Sequence, residues 1–259
     1  MKLKVMSFNI RYAEATDGPD IWENRRPVCR AVIDRYLPDI VGTQEPEILQ
    51  LQQLDEDLPD YSRFGVSRYG NEYEKFAAVY FRSDRLQLLE SGAYWFSETP
   101  DEVGSMNWHI HKPYAANWAR LQDKSSGFTF VVHNAQFPYL PIQAEARFHA
   151  AEIMVERSRS DHNVIFTGDF NCDAGGDVYN LLARTFQDAS CTDRVLGPSA
   201  TFHGFTGEPS KPYRLDWILY RGGFVSTSYE TVTFNENGRY PSDHFPVMAE
   251  LEFQEGSLT

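Results

Sequence analysis

Asp169 and Asn171 close the stretch Asn163-Val164-Ile165-Phe166-Thr167-Gly168-Asp169-Phe170-Asn171. An apolar run ended by Gly reads as a buried strand entering a turn. Side chains two apart on an extended chain point the same way, so the pair would stand together at the carboxyl end of that strand. One can accept a proton or orient a water while the other fixes an oxygen by hydrogen bonding. The plainer alternative is an Asx turn that merely leaves the strand. Other expected strand ends carry similar groups. With Asn9, Glu45, Asn134, Asp216, Asp243 and His244, the set holds six Asp or Asn, one Glu and one His. Oxygen donors without Cys pairs suit a hard cation, Mg²⁺ or Mn²⁺, and not structural zinc. Such a cation polarises a phosphoryl oxygen and neutralises charge on a leaving oxygen. An Asp beside a His holds one tautomer and raises its basicity. The parts together describe metal-assisted phosphoester hydrolysis.

The elements that must position these groups follow from periodicity. Residues 3–10 alternate loosely as a strand that carries Asn9 near its end. Residues 22–36 show apolar positions at helical spacing, and Pro38-Asp39 stops them. Residues 40–42 form a short buried strand leading to Thr43-Gln44-Glu45, and 47–58 a second helix with Leu51, Leu54 and Leu58 on one stripe. Four strands are expected at 77–81, 86–96, 118–122 and 128–136, rich in aromatic and β-branched residues. A helix at 141–159, the strand 163–168, a short helix at 177–183 capped by Asp177, and strands at 215–220, 224–234 and 247–253 complete the chain. No linker or repeat divides it. The expectation is one domain over 1–254, an α/β sandwich of two packed sheets beneath outer helices, with a frayed tail at 255–259. A doubly wound parallel sheet is disfavoured by the hairpin-like strands of 77–136.

Composition narrows the class of partner. The 259 residues carry 24 Lys+Arg against 37 Asp+Glu, a formal net charge of −13. That surface repels long polyanions, so nucleic acid is a disfavoured partner and a small phosphorylated substrate in a local basic pocket is the expected one. Three cysteines, Cys29, Cys172 and Cys191, show no zinc-type spacing and form no disulfide framework. With no targeting signal and no apolar run long enough to span a bilayer, a cytoplasmic location and no membrane partner are expected. Nothing bears on oligomeric state.

In order along the chain, Ser7-Phe8-Asn9-Ile10-Arg11, Thr43-Gln44-Glu45, Gly168-Asp169-Phe170-Asn171, Leu215-Asp216-Trp217 and Ser242-Asp243-His244-Phe245-Pro246 resemble the endonuclease/exonuclease/phosphatase superfamily. That family has the deoxyribonuclease-I-like, four-layer α/β/β/α fold. Trp22 with Arg25-Arg26, Gly65-Val66 and Trp95-Phe96-Ser97-Glu98-Thr99-Pro100 look like a bacterial branch of uncharacterised members. The resemblance implies Glu45 as the principal metal ligand, with Asn9 and Asp243 nearby, directly or through water. It implies that Asp169 positions or deprotonates the attacking water, and that Asn171 orients it or binds phosphate. Asp216 would pair with His244, which stabilises the phosphoryl group or handles a proton, and Asn134 would contact the phosphate.

Two departures stand out. Many relatives carry Asn-Thr-His where this chain has Asn134-Ala135-Gln136, and often an Arg where it has Tyr114. Both remove a positive or potentially positive group from the phosphate side, so Gln136→His would be expected to raise turnover by up to roughly tenfold. Arg11, Gln136, Tyr114 and His203 complete the candidate substrate-binding set. His203 is placed equally well at the site mouth or in a surface turn. His109 and His111 read as a solvated edge strand, His133 as a core residue, and Arg25 and Arg26 as salt-bridge partners across the first helix. Two other functions remain open: a metal-dependent nuclease, which needs a basic groove with aromatic stacking, and a binding module with a degraded site.

Overall fold

In the first strand, β1 (Lys2–Asn9), Leu3 and Val5 enter one apolar core while Met6 and Phe8 enter another. A strand buried on both faces must belong to a sheet covered on both sides, and that requirement organises the layers. The computed structural model describes residues 1–209 and 212–254; the tail expected at 255–259 lies outside them. The remaining strands are β2 (Ile40–Gln44), β3 (Tyr61–Phe64), β4 (Val79–Arg82), β5 (Leu86–Trp95), β6 (Ala115–Asp123), β7 (Thr129–Gln136), β8 (Val164–Asp169), β9 (Gln187–Asp188), β10 (Val195–Leu196), β11 (Asp216–Arg221), β12 (Phe224–Thr231) and β13 (Val247–Phe253). Among the described residues they form a seven-stranded sheet, β10-β12-β13-β1-β2-β4-β3, and a six-stranded sheet, β5-β6-β7-β8-β11-β9. Both are mixed: β1–β2 and β7–β8 pair in parallel, and β5–β6–β7 are antiparallel. That antiparallel meander excludes the doubly wound alternative.

Three apolar cores separate four layers. Leu3, Val5 and Ile40 of the first sheet meet Leu121, Val132, Ile165 and Ile218 of the second between the sheets. Helices α1 (Trp22–Tyr36) and α2 (Ile48–Asp57) cover the outer face of the first sheet through Val32, Ile33, Leu51 and Leu54. Helices α3 (Ala144–Arg157) and α4 (Asp177–Leu182) cover the second through Ala150, Met154, Val178 and Leu182. The order helix, sheet, sheet, helix is the expected sandwich. Truncating a fully buried core residue such as Ile165 to Ala would cost about 2–5 kcal/mol.

Several local details differ from the sequence reading. Strand β3 pairs with β4, although Tyr61-Ser62-Arg63-Phe64 has too little alternation to announce itself. Asp177 is the first residue of α4 and not its cap; Gly176 holds the cap position without a side-chain bond. Asp177 therefore acts only as an acid in the first turn, favourable to the helix dipole. His109 and His111 lie on an exposed turn and not a strand, with Trp108 and His109 both at positive φ. Arg26 does bridge the helices, to Glu56 and Asp57. Arg25 instead is fully buried and donates to the carbonyls of Ile10, Arg11, Asp20 and Pro241.

Candidate active site

Three neighbouring strands of the second sheet end in one row. Gln136 of β7 stands beside Asp169 of β8, and Asp169 stands opposite Asp216 of β11. On the inward face each strand passes from apolar to polar: Val132, Asn134, Gln136 along β7, and Ile165, Thr167, Asp169 along β8. The first sheet does the same, with Val5, Ser7, Asn9 along β1 and Ile40, Gly42, Gln44 along β2. The inter-sheet core thus ends in a polar layer. Gly42 is what lets the layers close there, since a Cβ would lie 2.1 Å from Thr167 Oγ1 and 2.7 Å from Asn134 Oδ1.

Asn134 belongs to that polar layer and does not reach the position expected for a phosphate contact. It is wholly buried; its amide donates to the carbonyls of Thr43 (2.8 Å) and Ala78 (3.0 Å) and accepts from Gln44 Nε2 (2.7 Å) and Thr167 Oγ1 (3.1 Å). It stitches the sheets together. Gln136, two residues on, does reach the site, but its amide is already committed. Nε2 donates to Glu45 Oε1 (2.6 Å) and Asp169 Oδ2 (3.1 Å), and Oε1 accepts from Arg68 (2.5 Å).

The chain leaves three of these strands through left-handed residues: Arg11, Glu45 and Asn171 have φ of 57°, 72° and 50°. Such conformations are uncommon for non-glycine residues and gather at functional sites. Asp169 Oδ1 accepts from the Asn171 backbone N–H at 3.1 Å, and Asn9 Oδ1 accepts from that of Arg11 at 3.0 Å. The Asx turn and the chemical role are therefore compatible in one residue: Oδ1 of Asp169 closes the turn, while Oδ2 accepts from Asn9, Gln136 and Asn171. The adjacency of Asp169 and Asn171 comes from this turn and not from extended alternation.

Behind Asp169 lies the pair of Asp216 and His244. His244 Nδ1 donates to Asp216 Oδ2 at 2.8 Å, so Nε2 is the ring nitrogen left free of that bond. The loop of Asp243 and His244 is clamped from behind by residues 201–204, whose His203 and Gly204 amides donate to the Asp243 carbonyl. His203 is buried and stacked on Phe245. It is neither at the mouth nor in a surface turn, and burial holds it neutral, its pKa lowered to about 4. His133 is a core residue as expected, hydrogen-bonded to Tyr94.

The electrostatics divide the acids. Burial alone would depress the His244 pKa, but the charge and hydrogen bond of Asp216, with Asp169 and Asp243, lift it to about 10. Burial pushes Asp169 up to about 7; His244 opposes this, while the charges of Asp216 and Glu45 add to it. Burial also works against ionising Glu45, yet Lys75, its Nζ 2.8 Å from Oε2, together with Gln136 and Arg68, holds it at about 2. Asp243 is raised, by burial first and by Glu45 in part, against His244 and Arg11.

Asp169, Asp216 and His244 each offer an atom within 4.8 Å of the others, and among the described residues Asp216 Oδ1 is buried without a hydrogen-bond partner. An imidazolium at His244, however, has no lone pair for a cation. The oxygen donors Glu45, Asn9 and Asp243 are of the type that fits a hard cation. The residues assigned to a cation from sequence have other ties: Glu45 to Lys75, Asp243 to Arg11 at 3.6 Å, and Asn9 to Asp169.

Glu45 and Gln136 form the floor of a cleft of about 680 Å³, walled by Arg11, Arg68, Lys75, Lys112, Tyr12, Tyr114 and Tyr139, with Glu14, Glu72 and Glu74 at its sides. Arg11 and Tyr114, both expected on the substrate side, line its wall. Arg68 and Lys75 were not anticipated. They sit in the loop between β3 and β4, where no periodicity marks them, and the Ser67–Phe76 bridge turns them inward. The cleft thus carries positive charge despite Gln136 and Tyr114.

A model of the Endonuclease/Exonuclease/phosphatase family matches residues 6–244. A solved endonuclease/exonuclease/phosphatase from Bacteroides vulgatus is 30% identical, with a TM-score of 0.92 over 98% of this chain and 100% of that one. A mannosyl-6-phosphatase of Bacteroides thetaiotaomicron is 32% identical, with a TM-score of 0.89 over 97% of this chain and 100% of that one. An uncharacterized protein of Acanthamoeba polyphaga mimivirus is 26% identical over 96% of this chain and all of its own length.

Proposed function

This chain belongs to the endonuclease/exonuclease/phosphatase family, and from that premise we propose that it hydrolyses a phosphoester bond in a small phosphorylated compound, with sugar phosphates the first class to test. The observation that carries this reading is the row Gln136–Asp169–Asp216 with His244, opening through Glu45 onto a cleft that mixes cations, tyrosines and acids. Cations suit the phosphate, while carboxylates and tyrosine faces suit the hydroxyls and ring of a sugar. The likeness to a mannosyl-6-phosphatase supports the same class.

In this reading Asp169 takes a proton from water, a task suited to a carboxylate whose pKa lies near 7. Asn9, Gln136 and Asn171 hold its Oδ2, and Oδ1, which accepts only the Asn171 backbone N–H, is the oxygen left to receive the proton. The water oxygen bonds to phosphorus as the ester P–O bond breaks, and the leaving oxygen takes up a proton from solvent. His244, kept as imidazolium by Asp216, presents Nε2 to a phosphoryl oxygen and stabilises the charge gathering there. Glu45, with Asn9 and Asp243, would hold Mg²⁺ or Mn²⁺ in exchange for their present ties to Lys75, Asp169 and Arg11, and the ion would supply a Lewis acid at the phosphoryl group.

The test is phosphate release from hexose phosphates, from p-nitrophenyl phosphate and bis(p-nitrophenyl) phosphate, and from oligonucleotides, each with and without Mg²⁺ or Mn²⁺. Turnover of small esters abolished in Asp169→Asn is expected. Cleavage of oligonucleotides alone would favour a nuclease, and no turnover of any ester a binding module.

A further inference from the structure

Among the described residues four cations line the cleft, and three already have acids. Arg11 pairs with Asp17 at 2.9 Å and with Asp243 at 3.6 Å, Lys75 with Glu45 at 2.8 Å, and Lys112 with Glu74 at 3.0 Å. Among the described residues no carboxylate lies within ion-pairing distance of Arg68, although it is only 8% exposed. A guanidinium does not deprotonate, and removing it from water is unfavourable unless charge is supplied opposite it.

The surroundings of Arg68 hold it without a direct ion pair; Glu45, whose charge Arg68 helps to stabilise, is reached only through Gln136. Its backbone N–H donates to the Lys75 carbonyl, and its own carbonyl accepts from Trp95 Nε1. Its guanidinium carbon lies 4.2 Å from the centre of the Tyr114 ring, and one terminal nitrogen donates to Gln136 Oε1. The amide orientation of Gln136 is fixed by its other end, because Glu45 and Asp169 can only accept from Nε2. Gln136 therefore joins Arg68 to the acid that would activate water. Most of the planar fork of five N–H donors remains for a ligand in the cleft.

We propose that Arg68 is the phosphate-binding residue of the cleft, positioned by Gln136 and Tyr114, and that it selects phosphomonoesters over phosphodiesters. A monoester dianion offers three non-bridging oxygens and nearly a full second charge to a fork of this kind, whereas a diester offers two oxygens and one charge. The inference rests on the phosphoesterase reading of the same site, and it adds the residue that chooses among esters.

The experiment measures inorganic phosphate binding by calorimetry in the Mn²⁺-loaded protein, together with kcat/KM for p-nitrophenyl phosphate and bis(p-nitrophenyl) phosphate, in wild type, Arg68→Met and Arg68→Lys. Arg68→Met is expected to weaken phosphate binding at least tenfold and to lower the monoester-to-diester ratio of kcat/KM by a similar factor, with Mn²⁺ affinity within twofold of wild type. Arg68→Lys, which keeps the charge and loses the fork, should fall between. It carries the test alone if the Met variant does not fold. Unchanged phosphate affinity and ester ratio in a folded variant would overturn the assignment of Arg68 while leaving wild-type turnover, and so the phosphoesterase reading, intact. A wild type that hydrolyses esters but shows no saturable phosphate binding would overturn it as well. A wild type that hydrolyses no ester would overturn the functional reading on which it rests.

Discussion

Gln136→His separates the sequence-based expectation from the structural one, because the two disagree in sign. From sequence, an imidazole at 136 would add a charge-assisted donor to phosphate. In the structure the Gln136 amide makes three hydrogen bonds at once, each with a charged partner: two donated to Glu45 and Asp169 and one accepted from Arg68. A neutral imidazole has one donor and one acceptor, so it can keep at most two of the three. An imidazolium keeps both donors but faces Arg68 with no acceptor and a like charge. The variant loses at least one hydrogen bond to a charged group, about 1.5–3 kcal/mol. At about 1.4 kcal/mol per decade this is a fall in kcat/KM of roughly 10- to 100-fold. The assay is kcat/KM for p-nitrophenyl phosphate from pH 5 to 9, with Mn²⁺ affinity measured alongside. Higher turnover at mildly acidic pH, with Mn²⁺ affinity unchanged, would refute this reasoning and restore Gln136 as a weakened phosphate clamp.

Asp216→Asn removes the charge that lifts the His244 pKa to about 10, so the alkaline limb of the pH–rate profile should move at least one unit lower; superimposable limbs would uncouple the two residues. In stability terms, a raised His pKa contributes fully below the unfolded value of 6.5 and is lost as pH rises through about 10. The wild-type Tm should therefore fall across that window more steeply than that of the variant. Glu45→Gln should leave the far-UV spectrum unchanged but weaken Mg²⁺ or Mn²⁺ binding at least tenfold by calorimetry, since it removes a charged oxygen ligand; unchanged affinity would remove Glu45 from the cation site. Asn134→Ala takes a side-chain donor from the buried carbonyls of Thr43 and Ala78, of which Ala78 keeps the Thr43 backbone N–H and Oγ1, and should cost about 1–3 kcal/mol in chemical denaturation for the group left unsatisfied. An effect on KM without loss of stability would instead return Asn134 to the phosphate.

Much of this molecule is written in local pattern. The apolar run Val164–Phe166 ended by Gly168-Asp169, and the loosely alternating residues 3–10 that end at Asn9, are visible in the chain, because a strand buried on both faces stays mostly apolar until the end that carries its polar groups. The order of the motifs around Asn9, Glu45, Asp169, Asp216 and His244 likewise located the strand ends that the fold gathers. What the chain could not disclose is which partner each polar group finds. Asn134 and Gln136 share a strand face, yet one lies beneath the Gly42 gap and bonds carbonyls across the sheets, while the other emerges between Glu45, Asp169 and Arg68. Arg68 and Lys75 come from a loop with no periodicity, and His203 is buried only because residues 201–204 pack against the loop of Asp243 and His244. Periodicity records the direction of a side chain relative to its own strand. The counter-charge that meets it comes from segments far away in sequence, and only the packing of the two sheets and their loops brings those together.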